Sequence, residues 1–252
     1  QYVRLDYSQA FSEQLLFNFK YDRNKVLGYL QNSDFMENNI RAQLQKIGQR
    51  YSFQLQGSFQ SMDASHSGGI AADSSSQAQL ESFGLEFVTT NKTDASSLTK
   101  LGNVHLKNYI NFSSDTLRHY GLTSDHEYLV TYREYLENDE DLGSIYDSVY
   151  IDTLRTRDQF NWGQLRNAAG MYFSDRKNFV YLDGMLQHEY WGFQNLGSTY
   201  DTNEVSLLSS ARFRWKSLKF VNRLKFNVLG GFNQWSEKVN VSFQKSKIPY
   251  QS

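Results

Sequence analysis

The five histidines are the side chains of this 252-residue chain best suited to acid–base or metal chemistry. They are His66, His105, His119, His126 and His188. A closed metal site needs several converging ligands, and no two of these histidines have the spacing that places them on one face of a helix. Adjacent residues of a strand point to opposite faces, so neither His126 with Glu127 nor His188 with Glu189 makes an acid–base pair. We therefore expect no metal site and no cofactor.

Serine is the candidate nucleophile, because the chain contains no cysteine. A hydrolase would need a serine beside a histidine on one face. Serine is so abundant that every histidine has one nearby in sequence, so the pattern does not favour an enzyme and hydrolysis stays an alternative. Calcium could be bound by the acidic residues Glu137, Asp139, Glu140 and Asp141 through their oxygens. They lack the Asp-x-Asp-x-Asp-Gly order and are interpreted as a solvated loop.

Basic side chains form the pattern with the clearest functional meaning. Arg212, Arg214 and Lys216 alternate along one segment, and Arg223 and Lys225 alternate along the next. Alternate residues of a strand share a face, so these side chains predict a basic stripe on two neighbouring strands. A stripe of Arg and Lys favours anions in a pore. The alternative is that these charges neutralise loops or a plug segment folded inside.

The segment at residues 50–60 shows how such a face is built. Its odd positions carry aromatic or aliphatic side chains or glycine, and its even positions carry Ser and Gln. This period of two predicts a strand with one apolar and one polar face. Its length is close to the 9–11 residues, roughly, that a tilted strand needs to cross a bilayer. We predict that the apolar face meets lipid and that the polar face lines a water-filled lumen.

The predicted lumen wall extends beyond the basic stripe. Acidic residues on the same face, Glu86 and Glu127 among them, dilute its positive charge. The predicted wall residues outside the stripe are Arg41, Gln43, Gln54, Gln56, Ser58 and Lys107.

Similar alternation predicts about eleven strands in all. It is clear at residues 15–21, 40–44, 50–60, 83–87, 104–112, 128–132, 165–173, 207–215, 224–228 and 239–243, weaker at 148–158 and ambiguous at 179–191. Short connections are predicted at residues 48–49, 174–178 and 217, and long polar ones at 61–79, 113–125, 137–147 and 192–204. Short turns at one end and long loops at the other are typical of outer-membrane barrels.

Composition favours the same class. The chain is 39% hydrophobic with a mean hydropathy of -0.62, yet 15% of its residues are aromatic. A soluble core would use more aliphatic side chains, whereas a barrel has an aromatic outer band and a polar interior. The net charge of -1 argues against nucleic-acid binding. The absence of cysteine excludes disulfides and iron–sulfur clusters. The chain has no run of 18 apolar residues, so the sequence predicts no membrane-spanning helix.

Four aromatic residues are predicted to lie at the membrane interface. Tyr51, Trp162, Trp191 and Trp215 sit at or near predicted strand ends. Trp and Tyr favour the headgroup region, because the ring is half apolar while its polar tip stays wet. The alternative is that they are ordinary sheet aromatics.

Two stretches resemble a known family. Residues 48–70 contain Arg50-Tyr51 at the start of a strand and end in His66-Ser67-Gly68-Gly69-Ile70. Residues 165–189 contain Leu165-Arg166-Asn167, a turn and a strand that ends in His188-Glu189. Both resemble the β-barrel porins of Bacteroidota, in which the corresponding loop typically ends Glu-Asn-Gly-Gly-Ile. Because members of that family are longer, the resemblance implies that residues 1–252 are an interior part of a longer barrel.

Together these observations predict one all-β domain over residues 1–252, an antiparallel up-and-down transmembrane β-barrel segment in a barrel of even strand number, about 12–18. The predicted function is porin-like passive diffusion of small polar solutes through the bacterial outer membrane, without catalysis. Expected partners are outer-membrane lipid, the barrel-assembly machinery and other outer-membrane subunits. The alternatives are a non-conducting accessory or scaffold subunit, a soluble β-sandwich and a hydrolase.

Overall fold

Eleven strands form one antiparallel sheet in the computed structural model, which describes residues 1–30, 32–68, 90, 92, 94–138, 156–215, 218–229 and 235–243. Strand order in the sheet follows strand order in the chain, which confirms the predicted all-β, up-and-down fold. Within the described residues, no helix is long and apolar enough to cross a membrane. The strands are β1 (Tyr2–Ser12), β2 (Leu15–Val26), β3 (Phe35–Lys46), β4 (Tyr51–Ser65), β5 (Ala95–Asn111), β6 (Arg118–Glu137), β7 (Thr156–Asp175), β8 (Val180–Asn195), β9 (Thr199–Trp215), β10 (Leu218–Leu229) and β11 (Trp235–Phe243).

Each strand contributes to an apolar face and a polar face that are continuous across the sheet. On β4, Tyr51, Leu55 and Phe59 are exposed, whereas Gln54 and Gln56 on the opposite face are partly covered. Side chains of a strand alternate faces, so the register decides which side chains meet. Cross-strand pairs join Leu55 to Leu44 and Leu106 on the apolar face, and Gln54 to Gln45 and Lys107 on the polar face.

The polar face is the concave side of the sheet. Gln187 and Ser206, on the polar face of β8 and β9, are only 6% and 0% exposed. The polar side chains are thus covered far more than the apolar ones, which indicates that the sheet curves around its polar face. The large apolar side chains lie on the convex side, where Met171 is 68% and Leu186 56% exposed.

The sheet has no apolar core in the part of the chain that the structure describes. The only buried apolar residues there are Ala95 and Ala168. A β-sandwich packs the apolar faces of two sheets against each other, whereas these strands form one sheet with its apolar face uncovered. The alternative of a soluble β-sandwich is therefore wrong.

The first strand, β1, was not predicted. Val3, Leu5, Tyr7 and Phe11 alternate with polar residues, so the period-two signal is present in the sequence. β1 pairs with β2 along its length, for example Leu5 with Tyr21. The strand predicted at residues 83–87 lies outside the described residues, as does the 148–155 part of the one predicted at 148–158.

Two predicted long loops are mostly strand. Residues 113–125 contain a connection only to residue 117, because β6 begins at Arg118. Residues 192–204 connect β8 and β9 through residues 196–198 alone. Their Ser, Thr, Asp and Asn side chains are typical of loops, yet the backbone ladder continues, as in the pair of Gln194 with Thr199. Backbone pairing with a neighbouring strand outweighs the local side-chain preference there.

Successive connections lie at alternate ends of the sheet. One end, here called the short-turn end, carries the described connections 13–14, 47–50, 112–117 and 176–179. At the opposite end, called the long-loop end after the prediction, residues 196–198 are described in full. The predicted long loops at 61–79 and 137–147 lie largely outside the described residues, so the contrast between the two ends stays a prediction.

The short turn between β7 and β8 is held by one carboxylate. Asp175 lies beyond Phe173, the last aromatic residue on the apolar face of β7, and accepts hydrogen bonds from the backbone N–H of Asn178 (3.1 Å) and its side-chain amide (2.8 Å). Arg118 lies 3.4 Å from the same carboxylate. The backbone hydrogen bond, aided by the amide and the Arg118 charge, lowers the pKa of Asp175. The turn ends at Phe179 with a φ of 53°, a left-handed conformation that is rare for an aromatic residue.

We expect Asp175→Asn to lower the urea midpoint of unfolding at neutral pH, because the amide keeps neither the charge nor both hydrogen bonds. The carboxylate's pKa is depressed by folding, so its stabilisation is full above the unfolded value of about 4 and is lost as pH falls through the folded value. The difference between wild type and variant should therefore shrink on acidification. Asp201→Asn, at an exposed position, is the matched control, and a gap that is constant across pH would contradict this role.

Candidate functional site: the polar face

The register brings the predicted lumen-wall residues onto the polar face. Gln43 lies opposite Gln56, and Arg41 lies opposite Ser58. Lys107 lies opposite Gln54 on the next strand. A continuous row of cross-strand pairs then connects this region with β10 through Ser52, Tyr109, Thr123, Gly170, Met185, Leu208 and Lys225.

The described residues of the predicted basic stripe lie on the same polar face. Arg212 pairs with Val221, and Arg223 pairs with Ser210, so both share the parity of Lys225. Arg214 occupies the corresponding position of β9, opposite Lys219. Lys216 lies outside the described residues.

The β1–β4 half of the polar face is hydrophilic with few charge contacts. A depression of about 460 Å³ is lined by polar residues of β1–β4. Arg41 donates to the Asn39 side chain at 3.4 Å, and Gln43 donates to Gln45 at 3.5 Å. These long, solvent-accessible contacts leave the amides available for water.

The β5–β10 half is a network of opposite charges, centred first on Asp125. Its carboxylate lies 2.8 Å from His105 Nε2 and 3.5 Å from Lys107 Nζ. Arg166 lies 3.8 Å from Asp125 and 2.7 Å from Glu127. The two acids on β6 therefore hold cations from both neighbouring strands.

A second cluster is centred on Lys225. Its Nζ lies 2.6 Å from Glu204 and 3.6 Å from Glu189. Glu189 also accepts hydrogen bonds from Gln187 (2.9 Å) and from Gln164. These bonds leave the Lys225 charge compensated by two carboxylates.

The positive charge of the predicted basic stripe is therefore compensated at Lys225. Lys107 and Lys225 are neutralised by acids from adjacent strands, while neither Arg212 nor Arg223 has an ion-pair partner among the described residues. Glu189 and Glu204 were missed because one belongs to a segment of ambiguous parity and the other to a predicted loop. The alternation of Asp183, Gln187 and Glu189 on one parity was the available signal.

Between these clusters and the short-turn end lies a cavity of about 730 Å³. The guanidinium of Arg212 lies over the Tyr181 ring, 5.1 Å from its centroid. The Asp183 carboxylate accepts from the backbone N–H and the hydroxyl of Ser210, at 3.1 and 2.7 Å. The cavity therefore combines cations, aromatic surface and two acids, Asp125 and Asp183, which both have hydrogen-bond partners.

The four predicted interface aromatics do not share a face. Tyr51 is exposed on the apolar face and donates its hydroxyl to Asn108 at 3.0 Å. Trp191 pairs with Gln164 and lies on the polar face, and Trp162 has the same parity as Gln164. Both tryptophans therefore lie on the polar face, and their position at the membrane interface stays a prediction. Trp215 is the last residue of β9 and pairs with Leu218.

Polar side chains interrupt the apolar face in the middle of β6–β9. His126 Nδ1 lies 2.9 Å from the Asn167 side-chain oxygen, and His188 Nε2 lies 3.2 Å from that of Asn203. Glu127 and Glu189 lie on the opposite face, which confirms that neither adjacent His–Glu pair shares a face. Within the described residues, no group of three or more His, Asp or Glu side chains is arranged to hold a metal ion.

One serine–histidine contact exists at the long-loop end. His66 Nε2 lies 2.8 Å from Ser97 Oγ. Tyr135 packs against the His66 ring at 5.9 Å and donates to Glu137 at 2.6 Å. Activation of a serine by histidine needs a third group that orients the imidazole, and no carboxylate contacts His66 among the described residues. The contact alone does not favour hydrolysis.

The same fold occurs in the crystal structure of BauA, the ferric preacinetobactin receptor from Acinetobacter baumannii. The two superpose with a TM-score of 0.53 at 8% sequence identity, over 98% of this chain and 43% of the receptor. The chain thus spans less than half of that receptor's length. No protein-family model and no curated protein matches the chain. At this identity the likeness is one of fold alone, that of an up-and-down β-barrel.

We expect Lys225 and Glu204 to be energetically coupled. Lys225→Met and Glu204→Gln should each destabilise the protein, and a double-mutant cycle of urea unfolding should give a coupling energy of about 1 kcal/mol. The pair is partly shielded and shares a network, so its coupling should exceed that of Lys20 with Asp22, a more exposed contact at 3.0 Å. Strictly additive effects would show that the network contributes nothing.

Proposed function

We propose that this chain forms part of a transmembrane β-barrel of the bacterial outer membrane, which lets small polar solutes diffuse passively through a polar, partly basic lumen. The observation that carries this proposal is a single curved sheet with its large apolar side chains on the convex face and its polar side chains on the concave face. An outer-membrane barrel has this arrangement, since its apolar band meets lipid and its interior meets water.

The apolar face is too extensive for contact with water alone. Exposed side chains on it come from all parts of the sheet, for example Leu5, Val104, Leu186 and Phe226. Removing apolar surface from water is worth about 25 cal/mol per Å², and contiguous patches beyond a few hundred Å² mark contact surfaces. Hydrocarbon tails would cover this face without a second protein layer.

Closure of the barrel is part of the proposal. Among the described strands, β1 pairs only with β2 and β11 only with β10. An open sheet edge within lipid would leave backbone groups unsatisfied, so membrane-spanning sheets are closed. We propose closure by further strands, in a barrel related to the β-barrel porins of Bacteroidota. The motifs at residues 48–70 and 165–189 support that relationship.

The concave face fits passive passage better than chemistry. Gln54 and Gln56 offer amide groups that exchange hydrogen bonds with water, and the charged half pairs its acids with bases. A solute crossing such a lumen would be selected by size and by local charge. Partners on this proposal are lipid, the barrel-assembly machinery that inserts the strands, and other outer-membrane subunits.

The second candidate is a non-conducting barrel that acts as an accessory or scaffold subunit. The observation that favours it is chain length, since the sequence places 29 residues between β4 and β5 and 18 residues between β6 and β7. Segments of that length can fold over or into a lumen.

Conductance separates the two candidates. We expect the full-length protein, folded in detergent and added to planar lipid bilayers, to give stepwise ohmic currents, because the proposed lumen wall is mostly polar. A folded protein that inserts but carries no current would overturn the porin function and favour the scaffold. Heat-modifiable gel mobility provides the control that the protein in the bilayer is folded.

Neighbouring residues of β4 offer a matched test of the membrane assignment. Leu55→Arg places a charge on the apolar face and should destabilise the protein in lipid vesicles by about 2–4 kcal/mol. Gln54→Arg places the same charge one residue away, on the polar face, and should change stability by less than about 0.5 kcal/mol. Urea unfolding in vesicles measures both, and equal effects would contradict a lipid-facing Leu55.

A further inference from the structure

The cavity of about 730 Å³ is lined by two arginines, Arg212 and Arg223, that have no ion-pair partner among the described residues. Arg212 and Arg223 lie on adjacent strands, with Arg212 opposite Val221 and Arg223 two residues further along β10. Such diagonal positions share a face with Cβ atoms roughly 7–8 Å apart. Long side chains at that separation can reach one bound group together.

The nearby charges are already engaged. Lys107 and Arg166 contact Asp125, and Lys225 contacts Glu204. The remaining acid, Asp183, accepts two hydrogen bonds from Ser210 and forms no ion pair with a described cation. Arg212 and Arg223 are both exposed, so their charges face the open space of the cavity and attract anions there.

Part of the lining is apolar and aromatic, beside polar side chains such as Gln187 and Ser209. Tyr181 lies below the Arg212 guanidinium, and Tyr109 meets Tyr172 edge to face at 5.6 Å. Met185 and Leu208 add apolar surface in the same cavity. These groups would stabilise the apolar body of an organic molecule, a contribution that a bare inorganic ion would not use.

We propose that this cavity binds a small organic carboxylate with an aromatic body, its anionic group held by Arg212 and Arg223 and its ring against Tyr181, Met185 and Leu208. A guanidinium pair holds a carboxylate through charge-assisted hydrogen bonds. The proposal rests on the proposed passage of solutes through the lumen and names the class of solute that this half of the lumen favours.

The test is a ligand titration of the full-length protein in detergent, followed by ¹⁹F NMR of 4-fluorobenzoate. We expect saturable binding that competes with benzoate, weakens with added salt, and is not displaced by benzylamine or benzyl alcohol. The double variant Arg212→Gln, Arg223→Gln should weaken binding by about tenfold or more, the loss expected for charge-assisted hydrogen bonds. Arg41→Gln, on the same face but outside the cavity, is the matched control and should bind as wild type does.

The outcomes separate this site from the proposed channel. Unchanged binding in the double variant, or acetate competing as well as benzoate, would overturn the site. Because the titration needs no current, binding without conductance would retain the site and reject the porin. If the protein conducts with the same anion preference in wild type and double variant, and binds no 4-fluorobenzoate, the porin function is retained and the site is rejected. Unchanged gel mobility of the variants, and retained binding in Arg212→Lys, Arg223→Lys, would exclude loss of fold as the cause of weaker binding.

Discussion

Backbone pairing between sequential antiparallel strands is the interaction on which the rest of this structure depends. Side chains alternate faces, so the register decides which residues meet. In the observed register Leu55 pairs with leucines on both neighbouring strands, and a slip of one residue would pair it with glutamine and lysine instead. The ladder keeps ten strand pairs in a register that gives one continuous apolar face and one continuous polar face. Curvature, burial of Ser206 and the charge clusters all follow from that register.

The polar face shows how a charged surface is stabilised without a core. Acids and bases on neighbouring strands, such as Arg166 with Glu127 and Lys225 with Glu204, lie 2.6–2.7 Å apart. Each pair limits the self-repulsion that a one-signed face would have. At the cavity beside Arg212 this compensation is incomplete, since neither Arg212 nor Arg223 has an ion-pair partner among the described residues.

Sequence patterns were sufficient for the fold and the face of most residues, and insufficient for contacts between strands. Gln54 and Arg212 were placed correctly because parity is a local property. The ion pair that neutralises Lys225 could not be predicted, because its partner Glu204 lies on another strand. Which residues of two strands face each other depends on the register, and the register is a tertiary property. The polar residues at 113–125 and 192–204 were predicted as loops, because their side chains favour loops locally. Pairing with neighbouring strands outweighs that preference, and such pairing cannot be predicted from the local sequence. Trp162 and Trp191 were placed by nearness to strand ends, which does not decide the face.

The polar interruption of the apolar face has a consequence for how such a sheet could be assembled. The imidazole of His126 on β6 meets Asn167 on β7, that of His188 on β8 meets Asn203 on β9, and the Tyr51 hydroxyl on β4 meets Asn108 on β5. Each partner comes from the next strand along the chain, so a strand entering hydrocarbon alone would carry a polar group with nothing to satisfy it. Insertion as preformed hairpins avoids that cost, and these three contacts define which strands must already be joined when they leave water.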